Sequence, residues 1–246
     1  MPEVIRDLIG QLRGAVESAR GASRRAVWEP APESSETRYY AVSDLPLRGV
    51  KGVPFTVFAG LTFWHRALAL DLRDYYSDPL CYLEYYLRMR IRHLTWFDDC
   101  TAATKVIPIG FGVALETSLF GVEPLWLADQ DPWDSPGSAT PPLLAETCAL
   151  DRLAPPDFYR SGLMPRAHWF HEVIGELLQQ VAPDFRVAFP AWYRSPFGVA
   201  CTLRGTAQFL VDMFERPAFV HRLMSFVTEA RMSWETERRR YLRISP

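Results

Sequence analysis

The chain has 246 residues, 48% of them hydrophobic and 23% charged, with a formal net charge of −2. That is enough apolar material for one barrel-sized domain or two smaller ones. The near-neutral charge supplies no general electrostatic attraction to nucleic acid or to an anionic membrane.

In chain order, Val4, Ile5, Leu8, Ile9, Leu12 and Val16 recur at helical spacing and predict a helix over 3–20, ended by Gly21. Glu3, Arg6 and Asp7 deny this segment the apolar centre of a secretion signal. A polar, proline-bearing linker follows at 29–35, so residues 1–35 read as a helical extension and 36–246 as the main domain. Val53–Phe58 reads as a buried strand ending near Gly60. Asp78-Pro79 is a helix start, because Asp caps free N–H groups and Pro is tolerated in the first turn. Leu80, Leu83, Leu87, Ile91 and Leu94 extend that helix to about 95. Val106–Ile109 and Val122–Leu127 are further short apolar runs, and 129–142 is a loop.

The clearest helix is 166–181, with Phe170, Val173, Ile174, Leu177, Leu178 and Val181 on one face. Phe185–Phe189 reads as a buried strand. Ser195-Pro196-Phe197 opens a helix running to Leu203, Gly205 breaks it, and a second helix covers 206–214. Pro217 opens the last helix, with Val220, Leu223, Met224, Val227 and Trp234 inward and Arg238–Arg240 read as a solvated face. The longest apolar run, Val106–Leu115, is far shorter than the roughly 20 residues a membrane helix needs, and the expected compartment is the cytoplasm.

Strand-like runs alternating with helices imply parallel strands joined by helical crossovers. Three or four strand runs stand against the eight of a closed barrel. The expectation is an α/β fold, either a small open sheet or a barrel with about half its strands present. The four cysteines, Cys81, Cys100, Cys148 and Cys201, are widely spaced and read as reduced thiols without a zinc framework.

Residues 195–228, SPFGVACTLRGTAQFLVDMFERPAFVHRLMSFVT, resemble a segment of the uroporphyrinogen decarboxylase family. There a small-Pro-aromatic turn leads into a helix, followed by a Gly, an aromatic-Leu pair, an acidic residue, and a Pro with an apolar helix behind it. DYYSDPLCYLEYYL at 74–87 resembles the family's early helix, and GFGVALETSLFGVEPLW at 110–126 its strand-and-glycine region. The resemblance covers roughly 45–246. It implies a TIM-type (α/β)8 barrel with the ligand at the C-terminal strand ends. It also implies one of two chemistries: cofactor-independent decarboxylation of a tetrapyrrole, or methyl transfer linked to a corrinoid. The second usually uses zinc held by a His-x-Cys…Cys set in a C-terminal half that this chain does not contain.

The early Arg-Gln-Ala-Gly-Arg motif of the decarboxylases is missing at Phe63–Leu68, where guanidinium forks would meet substrate carboxylates. Thr202 stands where the pocket Tyr is expected. These departures favour the methyltransferase-like branch. Divergent tetrapyrrole decarboxylation and a non-catalytic binding module are the alternatives. No cofactor is assigned to this chain itself. The resemblance implies zinc and a corrinoid for a methyltransferase, with a corrinoid protein and a second copy of the chain as partners.

Asp98 and Asp99 are adjacent carboxylates suited to a developing cation or to acid–base work, and equally to a loop in water. Glu116 lies in an apolar stretch, where a charge is costly unless paired; it reads as a site acid or half of a structural ion pair. These three are the catalytic candidates and share the place of the family's central Asp. His65 and Arg66, after the first strand, together with Trp192, Tyr193, Phe197 and Arg204, are the candidate ligand contacts. Arg204 also suits helix carbonyls, and the aromatic trio also suits the core. His168 and His171, at i and i+3, are too few to specify a metal site. The acidic loop 129–134 between Trp126 and Trp133 lacks calcium-loop spacing and reads as a solvated turn.

Overall fold

The computed structural model describes residues 3–20, 55–134 and 141–244. The linker at 29–35, Val53 and Pro54 of the first expected strand, residues 135–140 of the 129–142 loop, and Ser245-Pro246 lie outside them. The chain divides into two units. One is Met1–Ile109 with Phe170–Phe189; the other is Gly110–Trp169 with Pro190–Pro246.

In the first unit, α1 spans Glu3–Arg20 and buries Ile5, Leu8, Ile9, Leu12 and Val16, the stripe its sequence spacing marks. It packs against α4. Arg13 forks onto Asp184 at 2.7 and 3.0 Å, and Lys105 reaches the same carboxylate at 2.8 Å. These hydrogen bonds hold Asp184 well below the usual carboxylate range.

Two short helices follow, α2 (Leu61–Leu68) and α3 (Leu72–Ser77), and then α4 (Pro79–Trp96). Asp78 caps α4 by accepting from the N–H groups of Leu80 and Cys81 at 2.8 and 2.7 Å, with Pro79 in the first turn. Leu83, Leu87 and Leu94 are buried. Tyr82 and Tyr86 donate their hydroxyls to the carbonyls of Pro108 and Val106 in β1 (Val106–Pro108). Pro108 has no N–H to give a ladder, and the next residue, Ile109, donates to Ala188 instead.

β1 pairs in parallel with β2 (Arg186–Ala188), in the register Val106↔Arg186, Ile107↔Val187 and Pro108↔Ala188. Parallel neighbours need a crossover, and the long chain between them contains α5 (Ala114–Ser118), a 3-10 turn at Thr147–Arg152 and α6 (Met164–Val181). The fold is therefore helix-rich α/β with two parallel strands among the described residues. The other two expected strands differ. Residues 55–60 form no strand; Phe55 and Phe58 are exposed, and the segment is tied to the loop beyond α4 by Cys100 N–H to Phe55 O at 2.8 Å. The 122–127 run makes an isolated antiparallel bridge, Leu125 with Trp133, inside a loop.

In the second unit, the resemblance-bearing segment forms three consecutive helices, α7 (Pro196–Arg204), α8 (Thr206–Glu215) and α9 (Pro217–Tyr241). Ser195 caps α7 by accepting from Gly198 N–H at 3.1 Å. Gly205, at φ 84°, makes the break that a side chain would strain. Pro217 opens α9, which buries Phe219, Leu223, Val227, Ala230 and Trp234. The basic run at its end is not uniformly solvated. Arg238 is buried and donates to Pro190 O at 2.8 Å, while Arg239 and Arg240 are exposed.

Arg204 and Asp212 tie α7 to α8. Arg204 Nε donates to Asp212 Oδ2 at 2.6 Å, its Nη1 donates to the carbonyls of Leu144 and Ala145, and its guanidinium lies over the Phe219 ring. Burial pushes the Asp212 carboxyl up, and the hydrogen bonds from Arg204 and Gln208 outweigh it, leaving the group below its ordinary value. Removing one partner of such a pair leaves the other charge buried alone. Asp212→Ala is expected to cost about 3–5 kcal/mol of unfolding free energy in a urea titration.

Candidate active site

Another buried polar centre of the second unit lies on the chain segments that follow β1 and β2 in sequence. Glu116 sits in α5, every residue of which is buried. Its Oε1 accepts two backbone hydrogen bonds, from Tyr193 N–H at 2.7 Å and Arg194 N–H at 3.1 Å. Its Oε2 is buried and has no hydrogen-bond partner among the described residues. Burial raises the Glu116 pKa above its ordinary value, against the pull of the two N–H groups and the nearby Arg194 charge.

The Arg194 guanidinium is turned elsewhere. Its Nη1 donates to Asp134 Oδ2 and to Thr202 Oγ1. Asp134 also accepts from Thr117 Oγ1 at 3.0 Å. Thr202 is thus a partner of Arg194. The acidic loop is only partly the solvated turn its sequence suggests: Asp129 and Asp131 are exposed, but Asp134 is turned inward at 3% exposure. Neither Arg194 nor Asp134 stands out by residue pattern. The available signals were an Arg directly before the Ser195-Pro196 cap and an Asp ending a Trp-bounded loop.

The other candidates in this unit divide. Tyr193 and Phe197 are exposed, although the Phe197 ring also meets Phe209 edge-on. Trp192 is core: its Nε1 donates to Arg194 O at 2.9 Å, and its ring packs edge-on to Phe120 and Trp234. Arg204, expected as a ligand contact, has its guanidinium committed to Asp212 and two carbonyls at 3% exposure. The geometry gives it the structural alternative. His168 is buried between Phe158, Tyr159 and Tyr241, with Nε2 on Phe158 O.

In the first unit, Asp98 is exposed and Asp99 is buried at 1%. Adjacent in sequence, they do not act as one carboxylate pair. Asp99 accepts from Val57 N–H at 2.8 Å, from Thr101 Oγ1 at 2.6 Å and from Thr101 N–H at 3.2 Å, and it meets His93 Nε2 at 3.1 Å. Burial raises its pKa, and these hydrogen bonds more than reverse the effect, so it is held below the ordinary value. Asp99 is an ionised clamp fastening 55–58 to the end of α4. His65 Nδ1 lies 2.6 Å from Leu70 O at the end of α2, and Arg66 is exposed in that helix's last turn.

Among the described residues, no group of three His, Cys, Asp or Glu side chains is placed to hold a metal ion. No described helix is long and apolar enough to cross a membrane.

No protein-family model matches the chain. No curated protein matches it either. Among solved structures, a methyltransferase from Methanosarcina mazei aligns with a TM-score of 0.49 and 16% identity, covering 74% of this chain and 49% of that one. The chain thus spans about half the length of that protein.

Two opposite pH signatures follow. Asp99 binds its proton less readily when folded, so its stabilisation is present above the unfolded value of about 3.9 and is lost as pH falls through the lower folded value. Asp99→Ala is expected to cost roughly 3 kcal/mol at neutral pH, with the difference from wild type shrinking in acid. Glu116 holds its proton more readily when folded, so that contribution is present below about 4.3 and is lost as pH rises through the higher folded value. The stability of Glu116→Gln relative to wild type should therefore rise with pH, in urea melts taken from acid to neutral.

Proposed function

We propose that the chain belongs to a methyl-transferring enzyme of the uroporphyrinogen decarboxylase type, with its ligand received by the loops that follow β1 and β2. The observation that supports this reading is the folding of residues 195–228. The Ser195 cap, Pro196 in the first turn, the Gly205 break and the Pro217 start fall in the order that carries the family resemblance. Residues that follow both parallel strands in the chain also meet at one buried carboxylate. Tetrapyrrole decarboxylation is the weaker reading. It requires guanidinium forks open to substrate carboxylates, and Arg204 is closed off by Asp212.

Zinc, which the methyl-transferring branch usually employs, does not fit the described residues, because they bring together no three ligating side chains. The corrinoid enters as methyl-carrying substrate. The residues proposed for the site are Glu116 as its acid, Arg194 and Asp134 as the pair that sets the 193–195 turn, and Tyr193 and Phe197 as the exposed aromatic contacts.

The full-length protein carrying this chain is expected to demethylate methylcobalamin in the presence of a small thiol, read as loss of the methyl–cobalt absorbance and gain of the methyl thioether. Absence of transfer at high enzyme concentration, with coproporphyrinogen formed from uroporphyrinogen instead, would replace this reading with decarboxylation.

A further inference from the structure

The polarity of α8 is inverted. Its inward side packs on α7 and α9 and carries Phe209 together with the Asp212 carboxylate, which is spent on Arg204. At 3.6 residues per turn, Ala207, Leu210, Val211 and Phe214 fall on the opposite side of the helix. All four are exposed, Phe214 to 88%, and Met213 beside them is nearly half exposed. A surface helix ordinarily shows the reverse, with its apolar stripe inward and its polar residues in water. A single exposed apolar side chain needs no explanation, but a continuous stripe over two turns marks a surface that something covers.

We propose that the outer face of α8 is the contact of a reversible two-fold dimer, in which α8 lies antiparallel on α8 of a second copy of this protein. The proposal does not depend on the methyl-transfer reading. Its ground is that the stripe matches itself. Turned end for end about a point between Leu210 and Val211, the helix sets Phe214 against Ala207 of the second copy, and Leu210 against Val211. A contact in which one residue meets another, and the second meets the first, is what a two-fold interface requires. The largest side chain of the stripe meets the smallest at both ends, as interdigitating helices need. No like charges face each other, because Glu215 falls opposite Thr206 and Arg216 opposite Gly205. An anionic lipid surface fits this face less well. Gln208 and Glu215 border the stripe, and the Arg216 guanidinium beside it is held by Asp212 at 3.1 Å. The exposed stripe offers roughly 400 Å² per copy, about half of what one partner gives to an interface of standard size, so the pairing is reversible.

Sedimentation velocity of the full-length protein over a dilution series reads the association. Wild type is expected to pass from monomer to dimer as its concentration rises through the micromolar range. Ala207→Lys and Phe214→Glu each bring a charge onto the apolar contact and are expected to weaken self-association by about tenfold or more. Both positions are exposed, so circular dichroism and Tm of the dilute variants should match wild type. The register is tested by mixing the two variants. The new ammonium of one then faces the new carboxylate of the other, while the second contact of the pair keeps Phe214 against Ala207. The mixture is expected to form dimers that neither variant forms alone. A wild type that stays monomeric at every concentration, a dimer that both substitutions leave intact, or a mixture that stays monomeric overturns the proposal. So does wild-type binding to anionic vesicles in place of self-association.

Discussion

An ionisable group taken out of water must find a partner or give up its charge, and this constraint organises both units of the chain. Arg204 and Asp212 satisfy it by pairing, with carbonyls and neighbouring donors completing the shell. Asp99 satisfies it with two N–H groups, a hydroxyl and an imidazole. Glu116 satisfies it on one oxygen only. The first two arrangements hold elements in place, and their carboxylates are pushed down. The third holds a turn through Oε1, keeps its other oxygen unspent, and is pushed up. All three are buried to within a few per cent, so the opposite directions come from the hydrogen bonds each carboxylate receives and not from burial alone.

The helices were legible where local chemistry agrees with the apolar period. Asp78-Pro79 and Ser195-Pro196 each join a capping side chain to a first-turn proline, and α4 and α7 begin there. The stripe of α1 is buried residue for residue as its spacing marks it. α2 and α3 were not legible. They are shorter than the two or three turns over which a period shows itself, and aromatic residues crowd their polar and apolar positions alike. The strands were legible as apolar runs, but a run does not say whether it finds a neighbour. Val106–Pro108 and Arg186–Ala188 pair with each other. The run at 122–127 folds back on Trp133, while 55–58 is fastened by backbone contacts to Asp99 and Cys100 instead of by a ladder.

The site was legible in part for a related reason. Glu116 is marked by its setting: one carboxylate within a buried run from Ala114 to Phe120. Its supports are not marked, because sequence shows a charge and not the direction in which its side chain leaves the backbone. Arg204 and Arg194 lie at the two ends of α7, and either serves equally well on paper as a ligand anchor. Arg204 meets an acid on the next helix, eight residues on. Arg194 meets Asp134, which neither spacing nor period connects to it. Asp98 and Asp99 make the same point within a single dipeptide, one facing outward and the other closed in by Thr101 and His93.

The division of labour around Glu116 bears on what a ligand would encounter. Had the Arg194 guanidinium turned toward Glu116, the pair would have been ionised and closed, a structural bridge like that of Arg204 with Asp212. Asp134 prevents this by taking the guanidinium, and Thr117, next to Glu116 in α5, supports Asp134 with its hydroxyl. α5 thus supplies both the acid and part of the device that keeps the neighbouring cation off it. The two N–H groups that reach Oε1 belong to the residue pair bearing the exposed Tyr193 ring and that same diverted guanidinium. Movement of the 193–195 turn would therefore change the number of donors on Oε1, and with it the acidity of Oε2. Two backbone hydrogen bonds thus join the carboxylate of α5 to the turn that carries the exposed Tyr193 ring.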